Sequence, residues 1–379
     1  MSLSSQPEFA DATRISAGRR ILQRLHIDLP LLVGLLLLAA AGLFILYSAG
    51  DENLDLVIRQ GLRLALAFAV MFVIAQLSPS TIQFWSPWLF GIGLLMLVAV
   101  LIGGEIGKGA QRWLDLGVLR FQPSEIMKLA VPMMLAWYLA EAPLPPNRVR
   151  IFIAAVILLI PTLLIAKQPD LGTALLIASA SIFVLWLAGL GFRLIATVFT
   201  LFAAVTPVVW IYLLHDYQRR RVLTFLNPDI DPLGAGYHIR QSKIAIGSGG
   251  MYGKGWLNGT QSHLDFLPER STDFIFAVFS EEFGFLGLLI LLGLYLFVVW
   301  RGLYISAQAQ DTFCRLLAGS ITLTFFVYIF VNMGMVSGLL PVVGVPLPLL
   351  SYGGTSIVTL LAGFGILMSI QTHRKLIST

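Results

Sequence analysis

LPERSTDFIFAVFSEE, residues 267–282, is where a long polar, glycine-rich stretch hands over to an apolar helix, and the contrast across it decides the class of fold. Upstream, from His215 onward, Arg219, Arg220, Arg221, Arg240, Lys243, Lys254 and Arg270 are mixed with Asp229, Asp231, Asp265 and Asp273. Loops longer than about 15 residues tend to be either functional or disordered. The glycines from Gly247 to Gly259 let backbone approach a ligand closely.

The rest of the chain is mostly long apolar runs. With 57% of its residues hydrophobic and 12% charged, it cannot solvate the surface of a water-soluble globule. Apolar windows at 29–49, 57–77, 84–104, 122–141, 150–166, 171–189, 193–214, 274–300, 315–339 and 348–370 predict an all-α polytopic membrane protein. It should have about ten transmembrane helices, with one large extracytoplasmic loop, 215–271, between helices seven and eight. The expected organisation is a basic tail over 1–28, a single membrane domain over 29–374 and a short end over 375–379.

An even number of spans puts both termini on one side. Arg374 and Lys375 agree with the basic N-terminal tail that this side is the cytoplasm. Arg14, Arg19, Arg20 and Arg24, interleaved with Ile15, Ile21, Leu22 and Leu25, suit either an interfacial helix or a plain positive-inside anchor. Arg148, Arg150, Arg193, Arg301 and Arg315 fall on the same side. The run Leu29–Gly50 is long enough to span and too long for a signal-peptide core, so no cleaved leader is expected. The single cysteine, Cys314, excludes an intrachain disulfide and a cysteine metal cluster.

Two outer segments depart from the charge rule. One holds Lys108, Arg112 and Arg120; the other is the long loop. An anionic ligand would account for both, and so would the acids that nearly cancel the charge within the same loops. Ionisable side chains inside spans are more telling, since each costs roughly 2.5–3.5 kcal/mol at mid-bilayer on insertion scales. Arg59 and Arg63 share a helical face near the outer end of the second span and suit snorkelling to headgroups. Glu125 and Lys128, three apart, form either a structural ion pair or a cavity-lining pair. Glu281 and Glu282 lie about 12 Å below Asp273 at 1.5 Å per residue, and at least one should reach a polar cavity.

Beside Arg112 stands Trp113, an interfacial anchor or a functional aromatic, followed by Arg120, Gln122 and a helix opening at Pro123. GLLPVVGVPLPLLSYGGTS, residues 338–356, is apolar but too rich in proline and glycine to be a regular helix, so it should pack against protein or dip into lipid. Gly319, Gly334 and Gly338 suit contact with a partner's membrane helix. No nucleotide-binding loop, HExxH metal signature, Ser/His/Asp set or nucleic-acid module is visible.

NPDIDPLGAGYHIRQSKIAIGSGGMYGKGWLNGTQ (227–261), the 267–282 string and the 338–356 string together resemble the SEDS family (shape, elongation, division, sporulation), from about Asp28 to Arg374. LPER, where the division branch commonly reads LPEA, is similar to the elongation branch. The resemblance implies a ten-helix peptidoglycan glycosyltransferase of the bacterial inner membrane that polymerises lipid II. Its implied partners are a class B penicillin-binding protein supplying transpeptidation and other elongation-machinery proteins. Carried over by position, the family's essential acid is Asp273, its sensitive loop tryptophan is Trp113, and its intramembrane pair is Glu125 and Lys128. Many relatives have histidine where this chain has Ser271.

The implied chemistry joins two lipid-linked saccharides. A carboxylate, Asp273, would act as general base, and cations would hold the leaving pyrophosphate. Arg112, Arg120, Arg219, Arg220, Arg221, Lys243 and Arg270 are candidates for that role, and the sequence does not rank them. A divalent cation, Mg or Mn, is compatible with a pyrophosphate, although no ligand set is visible. The alternative is a transporter that flips lipid-linked precursors, against which stand the lack of a visible repeat and charge massed on one face. A pure scaffold would leave the intramembrane acids unexplained.

Overall fold

The computed structural model describes residues 25–107, 110–115, 120–191, 234–263 and 269–374, with scattered positions between 193 and 227. Its helices are α1 (Leu29–Ala49), α2 (Leu54–Ala75), α3 (Pro79–Gly103), α4 (Pro123–Ala140), α5 (Arg148–Lys167), α6 (Leu171–Leu187), α7 (Ala235–Ser248), α8 (Thr260–His263), α9 (Ile275–Ala307), α10 (Thr312–Val336) and α11 (Thr355–Thr372). Between α3 and α4 lie three short strands, β1 (Glu105–Gly107), β2 (Ala110–Asp115) and β3 (Arg120–Phe121), paired antiparallel in that order.

The helix starts are written in the sequence. Asp28, Asn53, Ser78, Asn147 and Asp170 each cap a helix by accepting a backbone N–H, and Pro30 and Pro79 occupy the first turns of α1 and α3. Seven of the described helices are long and apolar enough to cross a membrane: α1, α2, α3, α5, α9, α10 and α11. The shorter α6 is also apolar, and α4 carries Glu125 and Lys128. The expected span at 193–214 falls largely outside the described residues.

Two expectations are corrected. The chain is not purely α-helical, because β1 and β2 pair antiparallel with Gly107 opposite Ala110. The final outer segment contributes no start to α11, which opens at Thr355 rather than near 348: Pro346 and Pro348 cannot donate helical hydrogen bonds, and Gly353 and Gly354 follow. That segment packs against protein, with Val345, Leu347, Leu349 and Leu350 all buried.

The core is built around α10, which is 72% buried along its apolar window and packs against α4, α6, α9 and α11, whereas α3 and α5 turn most of their surface outward. Gly319 packs on Leu187 and Ser306, Gly334 on Leu340, and Gly338 on Lys243. These glycines therefore serve contacts within the chain, not the partner-facing surface expected of them.

Both ends of the described chain meet on one face. Asp28 receives two hydrogen bonds from Arg301 near the end of α9, at 2.6 and 3.0 Å. Gln76, after α2, donates to the Leu25 carbonyl at 2.7 Å, and His26 stacks on His373, just past α11, with ring centroids 3.9 Å apart. On the opposite face α7 lies across the start of α9 and the end of α10, through His238 stacked on Phe274 and Ser242 donating to the Val336 carbonyl.

Within α9 the helix breaks at Gly284 (φ 61°). The strap 250–255 fills the break: Lys254 and Gly255 donate to the carbonyls of Glu281 and Glu282, and Phe285 and Leu286 donate to those of Gly250 and Met251. A Cβ on Gly253 would fall 2.0 Å from the Glu282 carbonyl oxygen, and one on Gly284 would fall 2.3 Å from the Gly253 nitrogen. Only glycine permits that crossing of two backbones.

Candidate active site

Next to the α7 face, a cavity of about 260 Å³ opens among β2, α4, α6, α10 and the 344–356 segment. Four charged side chains shape it. At the start of α4, Lys128 Nζ lies 2.7 Å from Glu125 Oε1, one helical turn away, and 5.6 Å from the Tyr328 ring of α10. Glu125 is buried and Lys128 partly so, and both line the cavity, so the ion-pair and cavity-lining readings are compatible.

At the mouth of α6, Asp170 caps Thr173 through Oδ1 and takes Gln122 Nε2 at 3.0 Å through Oδ2. Arg112 on β2 points its guanidinium at the same corner, donating to the carbonyls of Gln168 and Pro169 with Asp170 3.7 Å away. Trp113 beside it also lines the cavity.

Asp273 lies against a residue of the wall, Gly344. Its carboxylate Oδ2 would be 3.6 Å from a Cβ built on Gly344, whose φ of +73° and lack of side chain let the cavity-lining segment pass close by. The surrounding turn is held by its backbone. Ser271 O accepts from Tyr352 N at 2.8 Å, Thr272 O from Ser351 Oγ at 2.6 Å, and Asp273 O from Asn332 Nδ2 at 3.0 Å. Asn332 also donates to Val345 O at 2.7 Å, so a single buried amide ties the Asp273 turn to the segment lining the cavity.

The N-cap of α9 is Phe274, so Asp273 precedes the cap position rather than occupying it. α7 lays His238 on Phe274, the residue after Asp273.

The remaining sequence candidates are scattered. Arg270 pairs with Asp51 at the α1–α2 turn, and exposed Lys243 lies against Gly338. Arg120 pairs in β3 opposite Asp115, with its side chain outside the described residues; Arg219 is half-buried, and Arg220 and Arg221 fall outside them.

Arg63 turns inward, donating to Gly353 O and lying 4.6 Å over the Tyr352 ring, while Arg59 is exposed. Glu281 and Glu282, expected near a polar cavity, are instead buried connectors. Glu281 binds Lys254, Thr260 and the Gln261 N–H, and Glu282 accepts from Ser48 on α1. Burial explains the difference, because a carboxylate out of water must be satisfied by protein donors.

Asp170, Tyr328 and Gly344 were not singled out from sequence. Asp170 had a signal, an acid directly before an apolar run, which marks a helix N-cap. Tyr328 lies in the middle of an apolar span and gives none.

The family model of FtsW, RodA and SpoVE, described as a cell cycle protein, matches residues 21–376. The chain is 54% identical over 355 residues to the peptidoglycan glycosyltransferase MrdB of Escherichia coli K12, covering 94% of this chain and 96% of that protein. It is 34% identical to the peptidoglycan glycosyltransferase RodA of Treponema pallidum, covering 92% and 98%. Among solved structures, a chain of a peptidoglycan synthase complex that coordinates polymerization and crosslinking superposes with a TM-score of 0.81 at 32% identity, covering 92% of this chain and 99% of that one. The rod shape determining protein RodA of Thermus thermophilus superposes with a TM-score of 0.70 at 28% identity, covering 92% and 98%. With a family match along almost its whole length and an architecture shared with those structures, this chain belongs to the FtsW/RodA/SpoVE family, the SEDS family that its loop strings resemble.

Proposed function

We infer that the chain is a peptidoglycan glycosyltransferase of the elongation branch that polymerises lipid II, and that Asp273 is the general base of the transfer. The observation that carries the reading is the Asp273 carboxylate held against Gly344 in the wall of a polar cavity, in a chain 54% identical to one named for this activity. Asp273 takes the proton from a sugar 4-hydroxyl of one lipid-linked saccharide. The freed oxygen bonds to the anomeric carbon of the other, and the bond from that carbon to the pyrophosphate breaks, its electron pair leaving with the polyprenyl pyrophosphate. A single displacement inverts the centre, so an α-linked donor gives a β-linkage. Positioning is by the three backbone carbonyls at 271–273, all anchored to elements that line or support the cavity.

Among the described residues no group of three or more His, Cys, Asp or Glu is placed to hold a metal ion. The complete bundle has ten spans in the inner membrane, with both termini cytoplasmic. Support comes from the described helices: α6 starts at the cavity and ends beside Gly319 on the face of the termini, while α9 starts again at the cavity, which calls for one more crossing between them. A class B penicillin-binding protein is the partner, in keeping with the likeness to a synthase complex.

The test is polymer formation from lipid II by the purified protein with its partner in detergent, where there is no bilayer to flip across. Polymer is expected, and Asp273→Asn should lower it by roughly 10²- to 10⁴-fold while leaving the complex folded. Lipid scrambling in vesicles without any polymer would favour the transporter instead.

A further inference from the structure

The strap 250–255 belongs by sequence to the outer loop, yet the residues it binds lie well within the length of two apolar helices. Asp28 and Arg301 are bonded to each other on the face of the termini, which sets a common level on α1 and α9. From that level Phe44 is 16 residues along α1, and Phe285 is 16 residues back along α9. At 1.5 Å per residue each stands about 24 Å above it, against a hydrocarbon core of about 30 Å. Trp256 stacks on Phe44 with ring centroids 4.4 Å apart, and the Phe285 N–H donates to the Gly250 carbonyl at 2.9 Å. Two separate helices therefore put the strap at the same depth, just inside the outer edge of the core. Asp51 and Glu52, both exposed, follow only after the uncharged α1 has ended.

The outward surface of the strap fits that depth. Met251, Tyr252 and Trp256 are exposed, and so are Phe44, under the Trp256 ring, and Phe285 and Leu286, whose N–H groups bond the strap. Tyr and Trp with apolar neighbours are the composition of the membrane's interfacial belt. Lys254, the only charge from 250 to 257, is turned inward, with Nζ 2.6 Å from Glu281 and 2.7 Å from Thr260. The Trp256 indole N–H is likewise directed to protein, at the Phe44 carbonyl. Irregular backbone at membrane depth is tolerated only where protein meets its polar groups. Here the strap and the break in α9 supply each other: the N–H groups of Gly253, Lys254 and Gly255 and the carbonyls of Gly250 and Met251 are all bonded within the chain.

We propose that the strap is a re-entrant element of the outer leaflet, with Met251, Tyr252 and Trp256 lying against the upper acyl chains and ester groups of phospholipid. This surface continues the lipid-facing sides of α1 and α9, and lipid rather than a protein partner covers it. Through the Glu281–Lys254 pair the bilayer then holds the upper part of α9, which begins two residues after Asp273. The assignment rests on α1 and α9 crossing the membrane.

It is tested on the full chain in phospholipid nanodiscs, alone and with the penicillin-binding protein, after Cys314→Ser removes the native thiol. Tyr252→Cys and, separately, Met251→Cys carry a nitroxide label, so that loss of the Tyr252 ring cannot by itself decide the result. Leu36→Cys, on the exposed side of mid-α1, and Glu52→Cys, in the outer turn, carry the same label as dry and wet references. Power-saturation EPR reads collisions with a water-soluble nickel chelate and with oxygen, which concentrates among acyl chains. Because water is excluded from the core, both strap labels should meet nickel at least about tenfold less often than the Glu52 label. They should meet oxygen about as often as the Leu36 label, with or without the partner. Nickel contact at the Glu52 level while Leu36 stays dry returns the strap to the aqueous loop and overturns the proposal. Shielding from both probes, or shielding that appears only with the partner, shows that protein covers the strap and overturns it too. A wet Leu36 label would instead remove the crossing of α1, and the proposal with it.

Discussion

Glu125 and Glu281 are both carboxylates buried within the helical bundle, yet the fold treats them in opposite ways. Glu281 is saturated: Oε1 accepts from Lys254 at 2.6 Å, Thr260 at 3.0 Å and the Gln261 N–H at 3.1 Å, and the same N–H reaches Oε2 at 3.2 Å. It fastens the 249–261 strap into the break of α9. Glu125 has one donor on one oxygen and faces a cavity. A completed set of donors marks an acid that holds structure, whereas Glu125 relies on one intrahelical partner and lies among the residues lining the cavity.

The largest expected effect tests the saturated side. Glu281→Ala removes the counter-charge from Lys254 and the acceptor of several donors, and should cost about 3–5 kcal/mol. Thermal unfolding checks the loss, and limited proteolysis near Lys254 should show the strap released. A stability close to that of the parent protein would mean that the knot is not structural.

Neutral pair replacement separates the two sites next. Glu281→Gln with Lys254→Met should recover most of both stability and polymerisation, because the role is packing. Glu125→Gln with Lys128→Met should recover stability while polymerisation stays down by about tenfold or more, equivalent to roughly 1.4 kcal/mol. Equal behaviour of the two double variants in both measurements would erase the distinction between them.

Gly344→Ala is a finer probe of the cavity wall. The left-handed backbone at +73° should cost about 1 kcal/mol for a residue with a Cβ, and the new methyl would rest in ordinary contact with the Asp273 carboxylate. A modest fall in Tm with a few-fold loss of polymerisation is the expected pair of readings. A Tm loss with full activity would place Asp273 away from the reacting groups.

The smallest effect lies on the far face. Burial, and then the neighbouring His373, lower the pKa of His26 below its ordinary 6.5, so the folded state prefers the neutral ring. Below about pH 6.5 the unfolded chain takes up the proton more readily, and stability falls; above it this contribution is fully present. Tm measured from pH 7.5 down to 5.5 should decline slightly more in the parent protein than in His26→Gln. Identical slopes would show that the stacked pair carries no such coupling.

Much of this was legible in the sequence. Runs of apolar residues located the spans, because a lipid-facing backbone must close its own hydrogen bonds. Asp28, Asn53, Ser78, Asn147 and Asp170, none of them singled out from sequence as caps, carry a readable signal for helix starts, because the first N–H groups of any helix need an acceptor. Glu125 and Lys128 could be paired on paper, since a spacing of three fixes their common face.

Only the tertiary structure decided what each buried charge is for. Glu281 meets Lys254 from a strap 27 positions upstream, Arg112 meets Asp170 across 58 positions, and Asn332 binds Asp273 across 59. No local pattern encodes such contacts. A carboxylate's role depends on how many donors reach it and on whether space remains beside it, and both are properties of packing between distant segments.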